Sequence, residues 1–302
     1  MELLWVPIAM IAGLMQAVRT AAQKALNAHL STWMTTYVRS IFGLPLMLVY
    51  LAIVIHFEGL GAPRFHALYL FHCLMTGLTQ VLATYLLILL FQRANFAVGT
   101  MLTKTDIMQA ALIGSVLFSE VISPVGWVAI ILSLLGVILI SAGRTRGALE
   151  RVRTVDLIRS PSVLLGLGSG FLFCLSYLFL REASQVMDAG SNIYRGAWSV
   201  VVVTSMQCVG LGLWLGATER AEFAKLRTVV RPSIFIGITS AIGSIGWFTA
   251  MAMENASYVK AVGQVEVIFT ILISTLYFKE RITPWEYAGI ATIVAAVLLF
   301  VL

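Results

Sequence analysis

The sequence predicts an all-α integral membrane protein with ten transmembrane helices, arranged as two inverted five-helix repeats. Three observations support this prediction: the composition is apolar, the apolar runs have the length that crosses a bilayer, and a residue pattern recurs after 160 positions. Hydrophobic residues make up 60% of the 302 residues and charged residues 11%. A soluble domain carries about a quarter charged residues, so this composition is typical of a membrane protein.

The apolar runs are separated by short polar intervals that mark the ends of the predicted helices. A bilayer core about 30 Å thick needs roughly 20 apolar residues of helix. We predict spans at 3–27, 34–56, 67–91, 96–118, 124–143, 161–181, 192–216, 232–253, 257–278 and 284–302. The first run has neither a basic leader nor a small-residue cleavage site, so we expect it to stay as helix 1.

A pattern of polar and turn residues occurs twice in the chain. A shift of 160 positions aligns Asn95 with Asn255, Asp106 with Glu266, and F-x-E-x-I-x-P at 118–124 with the same pattern at 278–284. This recurrence indicates a tandem duplication, with repeats at 1–143 and 161–302 and an Arg-rich linker at 144–160. Because five crossings is an odd number, the second repeat enters the membrane from the opposite side.

The net charge of +6 reflects membrane topology rather than a nucleic-acid partner. With the predicted spans, only Arg64 and Arg181 fall in loops on one side. Thirteen basic residues fall on the other side: Lys24, Arg93, Arg144, Arg146, Arg151, Arg153, Arg159, Arg220, Lys225, Arg227, Arg231, Lys279 and Arg281. This bias predicts that the richer side is cytoplasmic and that both termini lie outside. The linker is expected to meet anionic lipid headgroups of the bilayer.

Two acidic residues lie at equivalent positions in the middle of predicted spans. Asp106 and Glu266 are each about ten residues into their helices, which at 1.5 Å per residue is near the centre of the bilayer. Acidic residues at this depth are functional candidates. We expect at least one of them to change protonation during the cycle, which would couple substrate movement to protons.

Other polar residues are predicted to surround the two acids. Arg19 lies mid-span, where a lone cation costs at least ~2.5 kcal/mol, so it needs an acidic or carbonyl partner, which belongs either to a structural pair or to a substrate. The further candidates for contact with substrate or ion are Gln23, Tyr85, Lys104, Gln109, Trp247, Lys260 and Gln264. A cavity with charges of both signs suits a zwitterion such as an amino acid. The alternative is that the charges only neutralise one another as buried ion pairs. Arg39 is near a predicted helix end and is expected to snorkel to the interface.

Several other classes are disfavoured by the sequence. No nucleophile motif, H-E-x-x-H motif or histidine cluster is present, so neither an enzyme nor a metal site is predicted, and no cofactor is expected. Two unlike halves in one chain argue against a channel built from pore rings. A translocase for a lipid or an isoprenoid-phosphate carrier stays open as an alternative, because a basic groove would hold a phosphate headgroup.

The duplicated motif, with Phe118, Glu120 and Pro124 and their counterparts Phe278, Glu280 and Pro284, sits in a ten-helix chain of two halves. In this respect the sequence resembles the EamA family of the drug/metabolite transporter superfamily. The resemblance implies an alternating-access transporter of small molecules, with a central cavity lined mainly by helices 1, 3, 4, 6, 8 and 9. It further implies a bacterial inner-membrane protein, monomeric or homodimeric, although relatives generally keep both termini in the cytoplasm. Glu120 and Glu280 are expected to satisfy backbone donors at helix ends.

Overall fold

A computed structural model describes residues 3–93, 103–149, 161–278 and 283–301. All regular structure within these ranges is helical. The helices are α1 (Trp5–Leu26), α2 (Thr32–Ile41), α3 (Leu44–Glu58), α4 (Ala67–Arg93), α5 (Asp106–Leu117), α6 (Pro124–Leu149), α7 (Pro161–Val186), α8 (Asn192–Thr218), α9 (Arg220–Leu226), α10 (Val230–Met253), α11 (Ala256–Gly263), α12 (Val265–Phe278) and α13 (Pro284–Val301), with a 3-10 turn at Arg227–Val229.

The helices agree in position with the predicted spans. Predicted helix 2 consists of α2 and α3, predicted helix 4 ends in α5, and predicted helix 9 consists of α11 and α12. Six described helical stretches are long and apolar enough to cross a membrane: Trp5–Leu26, Thr32–Glu58, Ala67–Gln92, Val163–Val186, Asn192–Thr218 and Arg220–Met253. Shorter apolar helices lie at Asp106–Leu117, Pro124–Ile140 and Pro284–Leu299. The chain is therefore a multi-pass membrane protein, and ten crossings stay a prediction.

The outer surface of the helices carries large apolar side chains. Leu213, Leu164 and Val49 are 72%, 64% and 57% exposed on α8, α7 and α3. Contiguous apolar surface of this kind is rare on soluble monomers, because exposing it to water is unfavourable. These side chains are placed to face the acyl chains of the bilayer.

The contacts between helices follow a two-fold pattern. α1 packs mainly on α10, α4 on α7, and α6 on α13. In terms of position within a repeat, the first helix of each half packs on the third helix of the other, and the two fifth helices pack on each other. Exchanging the halves leaves this pattern unchanged, as expected for inverted repeats.

The contact between α6 and α13 depends on two glycines. A Cβ atom at Gly289 would lie 2.6 Å from the carbonyl oxygen of Gly136, and one at Gly136 would lie 2.9 Å from that of Gly289. Real Cβ atoms do not approach backbone this closely, so a larger residue at either position forces the helices apart. Small residues of this kind allow close packing of membrane helices.

Two helices are interrupted at equivalent positions. Helical hydrogen bonding breaks at Lys104–Thr105 before α5 and at Gln264 between α11 and α12, and Lys104 and Gln264 are related by the 160-residue shift. A glycine of the other repeat touches each interruption. A Cβ atom at Gly13 on α1 would lie 2.9 Å from the carbonyl oxygen of Gly263, and one at Gly170 on α7 would lie 3.0 Å from that of Thr103.

The repeats are also joined at both ends of the bundle. Ser31 and Ser191, again 160 residues apart, cap α2 and α8 by accepting a backbone N–H. The Ser31 amide donates to Glu222 at 2.7 Å and its hydroxyl to Glu219 at 2.5 Å. At the opposite end, the Ser191 amide donates to Glu58 at 3.3 Å, and its hydroxyl donates to the same carboxylate. Each serine thus contacts a carboxylate of the other repeat.

Glu120 has the structural role expected for it. Its carboxylate accepts the backbone N–H of Ala256 at 2.8 Å and the hydroxyl of Ser257 at 2.7 Å, at the start of α11. The side chain is buried, and Arg181 Nε lies 3.6 Å away. The prediction that Glu120 satisfies helix-end donors is confirmed. Its counterpart Glu280 and the motif residues Asn95 and Ile282 lie outside the described residues.

Candidate functional site

Asp106 and Glu266, which were predicted to form the centre of the site, lie directly after the helix interruptions. Asp106 is the first residue of α5 and Glu266 is the second residue of α12. Both side chains are buried. A carboxylate in the first turn of a helix is favoured by unpaired N–H groups and by the helix dipole, so these positions support negative charge inside an apolar bundle.

Each acid forms an ion pair with a lysine of the other repeat. Lys104 Nζ lies 2.8 Å from Glu266 Oε2, and Lys260 Nζ lies 3.5 Å from Asp106 Oδ2. All four side chains are buried. The two ion pairs cross the interface between the halves in opposite directions. The buried pairing that the sequence left open as an alternative therefore accounts for these four groups.

Neighbouring side chains support the two pairs differently. Gln16 Nε2 donates to Glu266 Oε2 at 3.1 Å. Lys260 Nζ donates to the Tyr177 hydroxyl at 3.1 Å and lies 4.3 Å and 4.7 Å from the ring centroids of Tyr177 and Trp247. Cation–π contacts at these distances stabilise a desolvated ammonium group. Lys260 is thus enclosed by two aromatic faces.

A small cavity lies beside the ion pairs, between α1, α2, α4, α7 and α10. Its lining includes Gln16, Arg19, Arg39, Gln80, Tyr177 and Trp247. The free volume of about 10 Å³ corresponds to roughly one water molecule, so the site is contracted in this conformation. The expected lining by helices 1, 3, 6 and 8 is found. Helix 2 also contributes, through Arg39, whereas the described residues of helices 4 and 9 are not part of the lining and supply the ion pairs beside it.

Two arginines line the cavity. Arg19 is buried, but in the described part of the chain no carboxylate oxygen lies within 4.0 Å of it, and its Nε atom has no acceptor. Arg39 was expected to snorkel, and this expectation is wrong: the side chain is only 3% exposed. The span begins at Thr32, so Arg39 lies two turns inside it, too deep for its side chain to reach water.

The remaining predicted residues lie at different distances from the centre. Gln264, at the α11–α12 interruption, is buried with both amide atoms lacking a partner among the described residues. Gln23 donates to the Thr35 carbonyl at 3.4 Å and ties α1 to α2. Gln109 bonds Thr105 Oγ1 on its own helix at 3.2 Å. Tyr85 stacks on Trp33 at 3.9 Å, about 7 Å along α4 from Gln80, and is not part of the cavity lining.

The predicted site did not include several residues in or beside the cavity, namely Gln16, Arg39, Gln80, Tyr177 and Gln207. Arg39 Nη2 donates to Gln80 Oε1 at 2.6 Å and to Gln207 Oε1 at 3.1 Å. Tyr177 lies between the lysine and the arginines. An amide side chain inside an apolar helix must find a partner, so Gln80 and Gln207 carried a signal of burial in the sequence. Among the described residues, no group of three or more His, Cys, Asp or Glu could hold a metal ion.

The fold and the site together define a class of protein. Inverted halves that meet at charged residues beside interrupted helices are the arrangement of a membrane transporter. The model of the EamA-like transporter family matches residues 3–142 and 160–302, nearly the whole chain. This protein therefore belongs to the EamA-like transporter family, of the drug/metabolite transporter superfamily, whose members are transporters rather than enzymes.

A solved structure shares the fold. A chain described only as a crystal structure of a protein superposes with a TM-score of 0.69 at 14% sequence identity, over 98% of this chain and 95% of the other. At this identity the likeness concerns the fold alone. No match was found among curated proteins.

Proposed function

We propose that this protein is a secondary active transporter that moves small charged or zwitterionic organic metabolites, such as amino acids, by alternating access. The observation that carries the proposal is the pair of cross-repeat ion pairs, Lys104–Glu266 and Lys260–Asp106, beside the interrupted helices. Transporters with inverted repeats place their substrate and ion sites at the repeat interface near the midplane. Residues 1–143 and 161–302 are proposed as the two moving halves, with 144–160 as their linker.

The energetics of the ion pairs support a role in the transport cycle. Separating a buried ion pair leaves two desolvated charges, which costs several kcal/mol unless another group compensates them. A rocking motion of the halves strains both pairs, because each joins one half to the other. Substrate or a proton is the compensating group in this proposal. We propose that the substrate contacts five side chains directly: Arg19, Lys104, Lys260, Gln264 and Trp247.

The serine–carboxylate contacts at the two ends fit the same cycle. Ser31 contacts Glu219 and Glu222 at one end, and Ser191 contacts Glu58 at the other. Opening the cavity to one side requires that one of these contacts break while the other holds. We propose that they close the two ends alternately.

The test neutralises the two acids one at a time. Purified protein is first screened by thermal shift against amino acids, nucleosides, polyamines and quaternary cations, since a ligand stabilises by RT ln(1 + [L]/Kd). Asp106→Asn and Glu266→Gln are then reconstituted, and exchange and proton-driven uptake of the ligand found are measured. Asp188→Asn, at a side chain that is 84% exposed, is the matched control. Wild-type exchange and pH dependence in both variants would show that the proposed coupling is wrong.

A second candidate function is translocation of a lipid or isoprenoid-phosphate carrier. The observation that favours it is the presence of two buried guanidinium groups at one cavity, because arginine binds phosphate bidentately. Stabilisation by water-soluble metabolites would favour the first function. Stabilisation by lipid-linked phosphates alone would favour the second.

We further propose a bacterial inner-membrane location with both termini outside, from the charge bias of the loops. The three cysteines are buried, so an introduced cysteine is the main target of an impermeant thiol reagent. Ala224→Cys and Ala62→Cys lie at exposed positions near opposite ends of the bundle. In intact cells we expect labelling at position 62 and protection at position 224. The reverse pattern would place both termini in the cytoplasm.

A further inference from the structure

The charged groups at the centre of the bundle do not balance. The buried cations are Arg19, Arg39, Lys104 and Lys260, whereas Asp106 and Glu266 are the buried acids among the described residues of this cluster. Each lysine is paired with one acid, which leaves the two guanidinium groups in excess. An unpaired charge inside a membrane protein is unfavourable, and such a charge marks the place where a ligand of opposite sign binds.

Among the residues that the structure describes, the hydrogen-bond partners of Arg39 are all neutral. Its Nη2 atom donates to the side-chain oxygens of Gln80 on α4 and Gln207 on α8, and Gln207 Nε2 donates in turn to Gln80 Oε1 at 2.9 Å. Ser40 also donates to Gln207 at 3.1 Å. These amides orient the guanidinium group without neutralising it. The Nε atom of Arg39 is buried and has no acceptor in the described structure.

Arg19, on α1, is in a similar position in the lining of the same cavity. The acidic side chain that attracts its charge is Glu266, whose Oε2 atom already accepts from Lys104 and Gln16. Arg19 Nε and Trp247 Nε1 are, like Arg39 Nε, buried donors without an acceptor among the described residues. All three side chains line the same cavity. The cavity therefore offers strong hydrogen-bond donors to a group that accepts.

The groups that would bind a cation are already occupied. Both carboxylates hold lysines, and the faces of Tyr177 and Trp247 that would receive an ammonium group are in contact with Lys260. Aromatic faces and carboxylates are the usual means of binding organic cations. The protein's own lysines supply that positive charge, so the site disfavours a cationic ligand.

We propose that the substrate is an organic anion whose carboxylate or phosphate group binds between Arg19 and Arg39. This inference rests on the proposed transport function and narrows its substrate class from charged or zwitterionic metabolites to compounds with net negative charge. Guanidinium groups bind both anions through paired N–H donors, and such charge-assisted bonds are about twice as strong as neutral ones. The excess of two positive charges suits a monoanion or a dianion. The cavity must widen to admit it, which opening to one side would achieve.

The test measures binding in nanodiscs made only of phosphatidylcholine. The probes are succinate and inorganic phosphate, with L-alanine and choline as the zwitterion and the cation, all at one ionic strength balanced with chloride. We expect saturable thermal stabilisation by an anion and none by choline. Stabilisation by alanine or choline without any by the anions would overturn the inference. The constant ionic strength and the variants below separate site binding from general salt effects.

Variants at the two arginines locate the site. Arg39→Met and Arg19→Met should each weaken anion binding by about tenfold or more, because each removes a charge-assisted contact. Arg39→Lys and Arg19→Lys keep the positive charge and should recover part of the affinity, which keeps the test valid if the Met variants do not fold. Arg195→Met is the matched control, since Arg195 is a partly buried arginine on α8 outside the cavity lining. Unchanged affinity in all four cavity variants would contradict the proposal.

A lipid arm identifies the source of the anion, and a transport arm separates the two proposals. Added phosphatidic acid is tested for stabilisation in the wild type and in Arg39→Met. If it stabilises only the wild type, and succinate and inorganic phosphate have no effect, the bound anion is a lipid headgroup. That result would still support an anion site at the two arginines. Counterflow is then measured in proteoliposomes with whichever probe binds. Binding that depends on the arginines without any counterflow would keep the anion site and refute transport. Counterflow of alanine without anion binding would keep transport and refute the anion site.

Discussion

The ion pairs Lys104–Glu266 and Lys260–Asp106 are related by the repeat, yet they are built differently. Glu266 lies 2.8 Å from its lysine and accepts a second bond from Gln16. Asp106 lies 3.5 Å from its lysine, and its Oδ1 atom accepts no hydrogen bond from the residues that the structure describes. Lys260, in contrast, has Tyr177 and Trp247 as further partners. In the first pair the acid has an additional partner, whereas in the second pair the lysine has the additional partners.

This difference indicates that duplication preserved the positions of the two acids but not their surroundings. Glu266 keeps a donor if Lys104 moves away, so this acid stays supported while the halves rock. Asp106 forms its ion pair with Lys260 in the described structure, and Lys260 keeps two aromatic partners if the pair opens. We infer that the Asp106 pair opens more readily and that Asp106 is the better candidate for exchanging a proton in the cycle.

The largest effect is expected for Lys260→Met. The substitution leaves the Asp106 carboxylate buried without a cation, which costs about 3–5 kcal/mol of unfolding free energy. Denaturation in mixed micelles measures this loss. Lys260→Met combined with Asp106→Asn should recover most of it, because the uncompensated charge is gone. If the double variant is no more stable than Lys260→Met alone, the loss of stability does not come from the uncompensated charge of Asp106.

A smaller loss is expected for Lys104→Met. Glu266 retains the Gln16 amide, so the cost should be about 2–3 kcal/mol, the upper range for a lost bond to a charged group. The same denaturation assay compares it with Lys260→Met, and Lys104→Met with Glu266→Gln is the matched rescue. A larger loss of unfolding free energy in Lys104→Met than in Lys260→Met would contradict the difference that we infer between the two pairs.

The smallest effect is expected for Gln16→Leu. It removes one donor from Glu266 but leaves the Lys104 ion pair, so we expect a loss of about 1.5 kcal/mol of unfolding free energy, the lower end of the range for a bond to a charged group. Gln185→Leu, which loses a single 3.3 Å bond to the Ala252 carbonyl near the end of the bundle, is the matched control. In a Lys104→Met background the cost of Gln16→Leu should rise, because Glu266 then loses a second donor in addition to the lysine. Strict additivity would exclude this coupling.

Several features of the site could be predicted from single positions. Asp106 and Glu266 were identified because a carboxylate in an apolar run is costly and because both recur at one offset. Glu120 was assigned to a helix end from its place in a turn before Pro124, and the structure agrees. Arg39 was misjudged, because its depth depends on where the span begins. The helix interruptions at Lys104–Thr105 and Gln264 were missed, because neither contains a proline and the first has no glycine beside it, so the shared pattern was not visible at both positions.

The sequence by itself determined that the chain spans a membrane, that it is duplicated and that two acids lie at its centre. These properties follow from the hydrophobicity of short segments and from identities at a fixed offset, both of which are local to the chain. The tertiary structure alone decided which lysine pairs with which acid and which cations are left over. Lys104 and Glu266 are 162 residues apart, and charge partners at such separations are selected by how the two halves pack against each other. The net positive charge at the cavity depends on that packing, and so does the class of substrate that we propose.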